Sequence, residues 1–263
     1  MYWVLSMPYW MAMAITVVGF VLIAYVAHAI VQRLVPYTDL TAHNDVAGFM
    51  ISVVGVLYAV MLAFIVIIVW QEYDNSASRV QDEVSAIAEI YNTAHVDPGP
   101  NAAQVQALAD QYTVLAIEKE WPAMRRGESS PELLRTLSRL EETIVDTPAN
   151  TPERTFLRNR AIAAVERVID DRRHRLADNA NGLPPILWAV LWVGGTITIG
   201  FGFLFGVEKS RVQLLMTGAV ATLVAISFVV IAELDYPYRG DTGVSSGGWV
   251  ALHDGITSEG QAK

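Results

Sequence analysis

Four stretches of this chain, residues 1–32, 46–70, 183–207 and 212–232, contain no Asp, Glu, Lys or Arg. A helix crosses a bilayer core with roughly 20 residues at about 1.5 Å of rise each, so every stretch is long enough to span. Soluble domains rarely leave so much backbone without a charge. The runs therefore predict an all-α integral membrane protein with four transmembrane helices, in contact with membrane lipid.

The runs are grouped two and two around a polar insert, which sets the expected organisation. Residues 1–70 hold spans one and two, 71–182 the insert, 183–235 a hairpin of spans three and four, and 236–263 a flexible tail rich in Gly, Ser and Asp. Of the 45 charged residues, 32 lie between Glu72 and Asp178, 19 acidic and 13 basic. Span two has no proline to end it at the membrane surface. Beyond it Val80, Val84, Ile87 and Tyr91 recur on one helical face, so the span is predicted to continue as a helix to about Ala94. Further amphipathic helices are expected over about 102–124, from Pro131 and up to about Asp178, with Leu133, Leu137, Leu140 and Ile144 on one apolar face and Phe156, Ile162, Val165 and Ile169 on another. The insert thus reads as a helical, extramembrane bundle. Ala27-His28-Ala29 imitates a signal-peptidase site, but no Lys or Arg precedes it and the apolar run is longer than the roughly 7–15 residues of a signal core. The first run is expected to be retained.

Small residues stripe two spans. Gly48, Ser52, Gly55, Ala59 and Ala63 share a face of span two, and Gly194, Thr198, Gly202 and Gly206 share one of span three. Such stripes permit close helix–helix approach in lipid, and they would also line a pore without blocking it; both roles remain open, with Gly55, Ala59 and Ala63 as pore-facing candidates. Carboxylates stand at the insert side of the spans: Glu72 and Asp74 after span two, Glu233 and Asp235 at the end of span four. In a ring of subunits they would attract cations at a mouth; alternatively they are ordinary boundary charge. Trp3, Tyr9, Trp10, Trp70, Tyr73, Trp188, Trp192, Tyr236 and Tyr238 crowd the same side as an interfacial belt.

The composition excludes several functions. The chain has no cysteine and a net charge of −9, which removes thiolate chemistry and argues against nucleic-acid binding. No catalytic motif is present: there is no nucleophile elbow, phosphate-cradling loop or HExxH, and no cofactor or metal is implied. His28 is the one ionisable group inside a span, and His43-Asn44-Asp45 has no second cluster to make it a metal site. Gly240-Asp241-Thr242-Gly243 reads as a turn.

Two segments carry a family likeness. The first is Gly55-Val-Leu-Tyr-Ala-Val-Met-Leu-Ala-Phe64 with Trp70, Tyr73 and the Glu83–Tyr91 helix; the second joins Gly200-Phe-Gly-Phe-Leu-Phe-Gly206 to Leu234-Asp-Tyr-Pro-Tyr-Arg-Gly240. Over residues 46–95 and 188–245 the chain resembles the bacterial bestrophin-like family, a domain of unknown function in membrane proteins. Through true bestrophins the resemblance implies pentameric, four-span, anion-selective channels with helical cytoplasmic regions. The chain departs from that pattern: it has only the isolated Phe64 where a phenylalanine-rich neck is expected, and no acidic calcium clasp. Its mouth carboxylates also oppose anion selectivity.

The expected function is a homo-oligomeric, channel-like protein of the bacterial inner membrane, with span two lining a central path for ions. The alternative is a non-conducting scaffold or sensor whose insert binds a partner. Arg33, Lys209 and Arg211 in the short loops point to an insert and termini away from the cytoplasm, whereas Arg79, Arg172, Arg173 and Arg175 beside the insert point to the cytoplasmic side, the orientation expected here.

Overall fold

The computed structural model describes residues 7–34, 44–96, 99–205 and 210–261. Among them the regular elements are all helical: α1 (Tyr9–Leu34), α2 (Asn44–Val96), α3 (Ala102–Leu115), a π-helical turn (Ala116–Glu120), α4 (Trp121–Met124), α5 (Pro131–Val145), α6 (Pro152–Ala180), α7 (Pro185–Phe203), α8 (Ser210–Asp235) and α9 (Gly247–Gln261). Among the described residues, four helical stretches are long and apolar enough to cross a membrane: Tyr9–Leu34, Asn44–Val96, Pro152–Phe203, whose apolar part is α7, and Arg211–Asp235. The all-α, four-span expectation holds.

The chain forms two compact units. The first takes Met1–Glu72, Leu183–Asp235 and Gly240–Thr242; the second takes Tyr73–Gly182, Tyr236–Arg239 and Gly243–Lys263. In the first unit α8 is the central helix: 44% of its most apolar window is buried, against 11% for α1 and for α2. Its Val224, Phe228 and Ile231 pack with Tyr58, Ile65 and Val69 of α2 and Leu191 of α7. Phe228 also meets Trp192 of α7 at 4.7 Å and Phe20 of α1 at 5.4 Å between ring centroids.

The second unit is an amphipathic helix bundle. Val80, Val84, Ile87 and Ile90 of α2 enter its core with Leu133, Leu137, Leu140 and Ile144 of α5 and Val165 and Val168 of α6. α2 runs unbroken to Val96. Prolines open α5 and α6 at their first positions, where a missing N–H costs nothing. The Ser130 hydroxyl accepts from the Leu133 N–H and the Thr151 hydroxyl from the Arg154 N–H, capping the two helices. Phe156, expected on the apolar face of α6, is 63% exposed.

The stretch expected as one helix over 102–124 is interrupted by the π turn. The Trp121 N–H reaches back to the Ala116 carbonyl, and Pro122, which follows, has no N–H to give to the ladder. This turn lies beside a buried charge cluster. The Arg175 guanidinium makes a two-pronged pair with Glu83, Nε to Oε2 at 2.8 Å and Nη2 to Oε1 at 3.0 Å. The Tyr112 hydroxyl donates to the same carboxylate at 2.5 Å. Glu120, on the π turn, pairs with Arg172 at 2.9 Å and accepts from the Ser130 N–H at 2.6 Å. Two carboxylates thus balance two guanidinium groups. Burial alone would favour loss of the Arg175 proton, but the Glu83 carboxylate more than offsets it and holds the group charged beyond its ordinary range. Burial, reinforced by the Glu83 charge, pushes the Tyr112 hydroxyl up, so it stays a donor.

The flexible tail expected over 236–263 is corrected by the structure. Tyr236–Arg239 and the chain from Gly243 belong to the second unit, and Gly247–Gln261 is helical. Trp249 is fully buried, with its ring 5.6 Å from Tyr112 and 6.5 Å from Trp121. The Trp121 Nε1–H donates to the Val244 carbonyl, and His253 meets Asp110 at 3.0 Å. One large aromatic contributes enough buried area to fix a glycine-rich segment. Before this segment, Arg239 donates to both oxygens of Asn179, and its guanidinium lies where a side chain on Gly127 would project. Gly127 has φ of 79°, so both the backbone and the space require glycine there.

At the surface of this unit, Glu89 accepts from Arg160 Nε and Arg167 Nη2, each at 2.5 Å. Those hydrogen bonds hold its carboxyl below the ordinary range. A depressed carboxyl stabilises the fold above its unfolded value of about 4.3, and that contribution is lost as pH falls through the lower folded value. The wild type is therefore expected to lose more stability between pH 7 and pH 3 than Glu89→Gln does, which denaturant unfolding at the two pH values would measure.

Candidate functional site

The part of α2 in the first unit has three distinct faces. Tyr58, Ile65 and Val69 are buried against α7 and α8. At about 100° per residue, the small stripe of Gly48, Ser52, Gly55, Ala59 and Ala63 lies about 100° round from them. Within the single chain Ser52, Ala59 and Ala63 are exposed, and a Cβ added to Gly55 would meet nothing within 4 Å among the described residues. The Ser52 hydroxyl donates back to the Gly48 carbonyl at 2.8 Å. The third face, about 200° round, carries Phe49, Val53, Val56, Val60, Phe64 and Ile67. These are 71%, 45%, 63%, 49%, 63% and 50% exposed. A continuous row of bulky apolar residues thus stands opposite the face packed on the chain's own helices.

The α7 stripe is packed differently. The Tyr58 ring lies against Gly194 so closely that a Cβ there would fall 2.4 Å from Cδ2 and 2.6 Å from Cε2. A Cβ on the neighbouring Gly195 would be 3.1 Å from the Tyr58 hydroxyl, which donates to the Leu191 carbonyl. Thr198 turns its hydroxyl to the Gly194 carbonyl at 2.8 Å. Gly202 approaches Thr217 of α8, whose Oγ1 would stand 3.8 Å from an added Cβ. Gly206 lies outside the described residues, as does His43.

The four boundary carboxylates differ in their surroundings. Glu72 and Asp74 are exposed on α2. Glu233 is 3% and Asp235 8% exposed. Glu233 accepts from the Thr242 hydroxyl at 2.8 Å. Asp235 accepts from the Leu183 N–H and from the Trp188 indole N–H, tying the start of α7 to the end of α8. Asp241 accepts from the Tyr9 N–H at 3.3 Å. Of the aromatic residues expected in the belt, Trp10, Trp70 and Trp192 are exposed, whereas Tyr238 is buried in the second unit with its hydroxyl on the Ser76 carbonyl. Among the described residues no group of three His, Asp or Glu side chains gathers as a metal site.

Residues 18–248 match the model of the bestrophin-like domain. The chain belongs to the bestrophin-like family. Its fold agrees: a variant of a bacterial bestrophin homologue from Klebsiella pneumoniae superposes with a TM-score of 0.68, covering 93% of this chain and 99% of that one at 8% identity. A second variant of that homologue gives 0.62 over 94% and 96%, at 11% identity. No curated protein matches the chain in sequence. This bestrophin-like chain is thus an integral membrane protein, and the family match extends across the insert as well as the spans.

Sequence reasoning missed Tyr58, which explains why α7 carries adjacent glycines. It also missed that Glu233 and Asp235 serve hydrogen bonds within the first unit. An aromatic residue on the small-residue span, 136 positions before a Gly-Gly pair, gives no local sign of that contact.

Proposed function

We propose that the chain is one subunit of a homo-oligomeric, channel-like protein, pentameric by resemblance, in which α2 lines a central path through the bacterial plasma membrane. The insert and termini face the cytoplasm in this reading. The observation that carries it is the unpartnered row of bulky apolar side chains on α2, diametrically opposite the face that packs on the chain's own helices. When such chains form a ring with α2 innermost, that row faces the axis and the small stripe on its flank meets a neighbouring copy, where small residues allow close approach. Val56, Val60 and Phe64 would then form an apolar constriction, and a narrow apolar passage gates by excluding water.

Recording from purified protein in planar bilayers tests the reading. Single-channel currents are expected, and Val60→Ser should raise the open fraction by wetting the constriction. Sealed membranes for both proteins, across voltage, pH and divalent ions, would refute conduction and leave a scaffold role.

A further inference from the structure

The first unit contains a polar seam between α1 and α8. Gln32 Nε2 donates to Gln213 Oε1 at 3.1 Å, and two helical turns away Ala24 and Ala221 share a buried cluster with Phe203. Both pairs obey one antiparallel register, in which the residue numbers have a constant sum. Halfway between them that register sets His28 opposite Thr217.

His28 is 1% and Thr217 3% exposed. Among the described residues, neither ring nitrogen of His28 nor the Thr217 hydroxyl has a hydrogen-bond partner. The Phe203 ring covers the imidazole at 5.8 Å between centroids. Gln213 is already engaged, donating to the Phe205 carbonyl as well as accepting from Gln32. Beside the Thr217 hydroxyl, Gly202 leaves space that a side chain would occupy: an added Cβ would have that oxygen at 3.8 Å, and among the described residues no other side chain within 4 Å.

A buried polar group without a partner is strongly unfavourable in a bilayer, where no solvent relieves it. A neutral imidazole offers one donor and one acceptor, and a hydroxyl offers both. A water needs such a set of polar partners and enough room. We infer that His28, Thr217 and the gap at Gly202 form a water-binding site inside the membrane-spanning unit, with one water bridging the imidazole to the hydroxyl across the α1–α8 seam.

The site gives Gly202 a role distinct from close packing, since the space it leaves is for solvent. Hydroxyl-radical footprinting in ¹⁸O-water, on the full chain in lipid nanodiscs, tests this without reference to conduction. Radicals form on bound water and label what touches it. His28 and Phe203 should take up ¹⁸O several-fold faster than Phe228, which is buried in apolar contacts of the same unit. Gly202→Ala should lower that labelling to the Phe228 rate and also lower the melting temperature, because expelling the water orphans both buried polar groups, and Thr217→Val should lower the labelling as well. Labelling of His28 and Phe203 no faster than Phe228, or labelling unaltered in Gly202→Ala, would overturn the assignment.

Discussion

Arg175→Met should destabilise the second unit by about 3–5 kcal/mol, the scale of breaking a buried pair by removing one partner. The size follows from what is left behind. Glu83 and Arg175 are both fully buried, so deleting the guanidinium leaves a buried carboxylate that has lost its paired cation and still accepts from the Tyr112 hydroxyl. The lost cation also rests 5.0 Å over the Trp121 ring and beside Met124, and methionine replaces much of that volume. The penalty is therefore electrostatic more than steric. Adding Glu83→Gln to Arg175→Met should recover part of the loss, because the orphaned charge is then removed. Denaturant unfolding of the two variants and the wild type would check this; a double variant no more stable than Arg175→Met would place the cost in packing.

Gly194→Val should disrupt the first unit comparably. A Cβ at position 194 alone would overlap the Tyr58 ring at 2.4 Å, far inside van der Waals contact, and that ring is held between α7 and α8 with its hydroxyl on the Leu191 carbonyl. Overpacking of a filled core costs about 1–3 kcal/mol and sometimes more. Here the ring has to leave, taking with it the contact that fixes α2. Tyr58→Ala should partly rescue Gly194→Val, although it destabilises the protein on its own. Melting in detergent or nanodiscs would show that reversal of sign; additive losses in the double variant would mean that ring and glycine act separately.

The parts of the fold legible in the sequence are those set by local pattern. Each span is defined by its own lack of charge, and Val80, Val84 and Ile87 show by spacing alone that α2 continues into the insert. Pro131 and Pro152 mark helix starts because the chemistry of a first turn is local. The rest depends on partners distant in the chain. Glu83 and Arg175 are 92 residues apart, and each alone looks like a solvated charge on a helix face. α9 had a readable sign in Trp249, Leu252 and Ile256 at helical spacing, outweighed by the glycines around them. The small stripe of α2 was legible, but not the bulky row beside it, nor where either lies around the helix relative to its packed side. That placement depends on Tyr58, Ile65 and Val69 docking on α7 and α8, and it moves the proposed path from Ala59 to Val60.

The most direct test of that path is a cysteine scan of α2, made simple because the chain has no cysteine of its own. Val56→Cys, Val60→Cys, Ala59→Cys and Ala63→Cys would be reconstituted in turn and exposed to a charged, water-soluble thiol reagent during bilayer recording. Modification should block current at positions 56 and 60 and leave 59 and 63 unaffected, since the flank is covered by a neighbouring copy. Block at 59 and 63 with positions 56 and 60 inert would contradict the account, because the small stripe would then face the water-filled path and the bulky row the lipid.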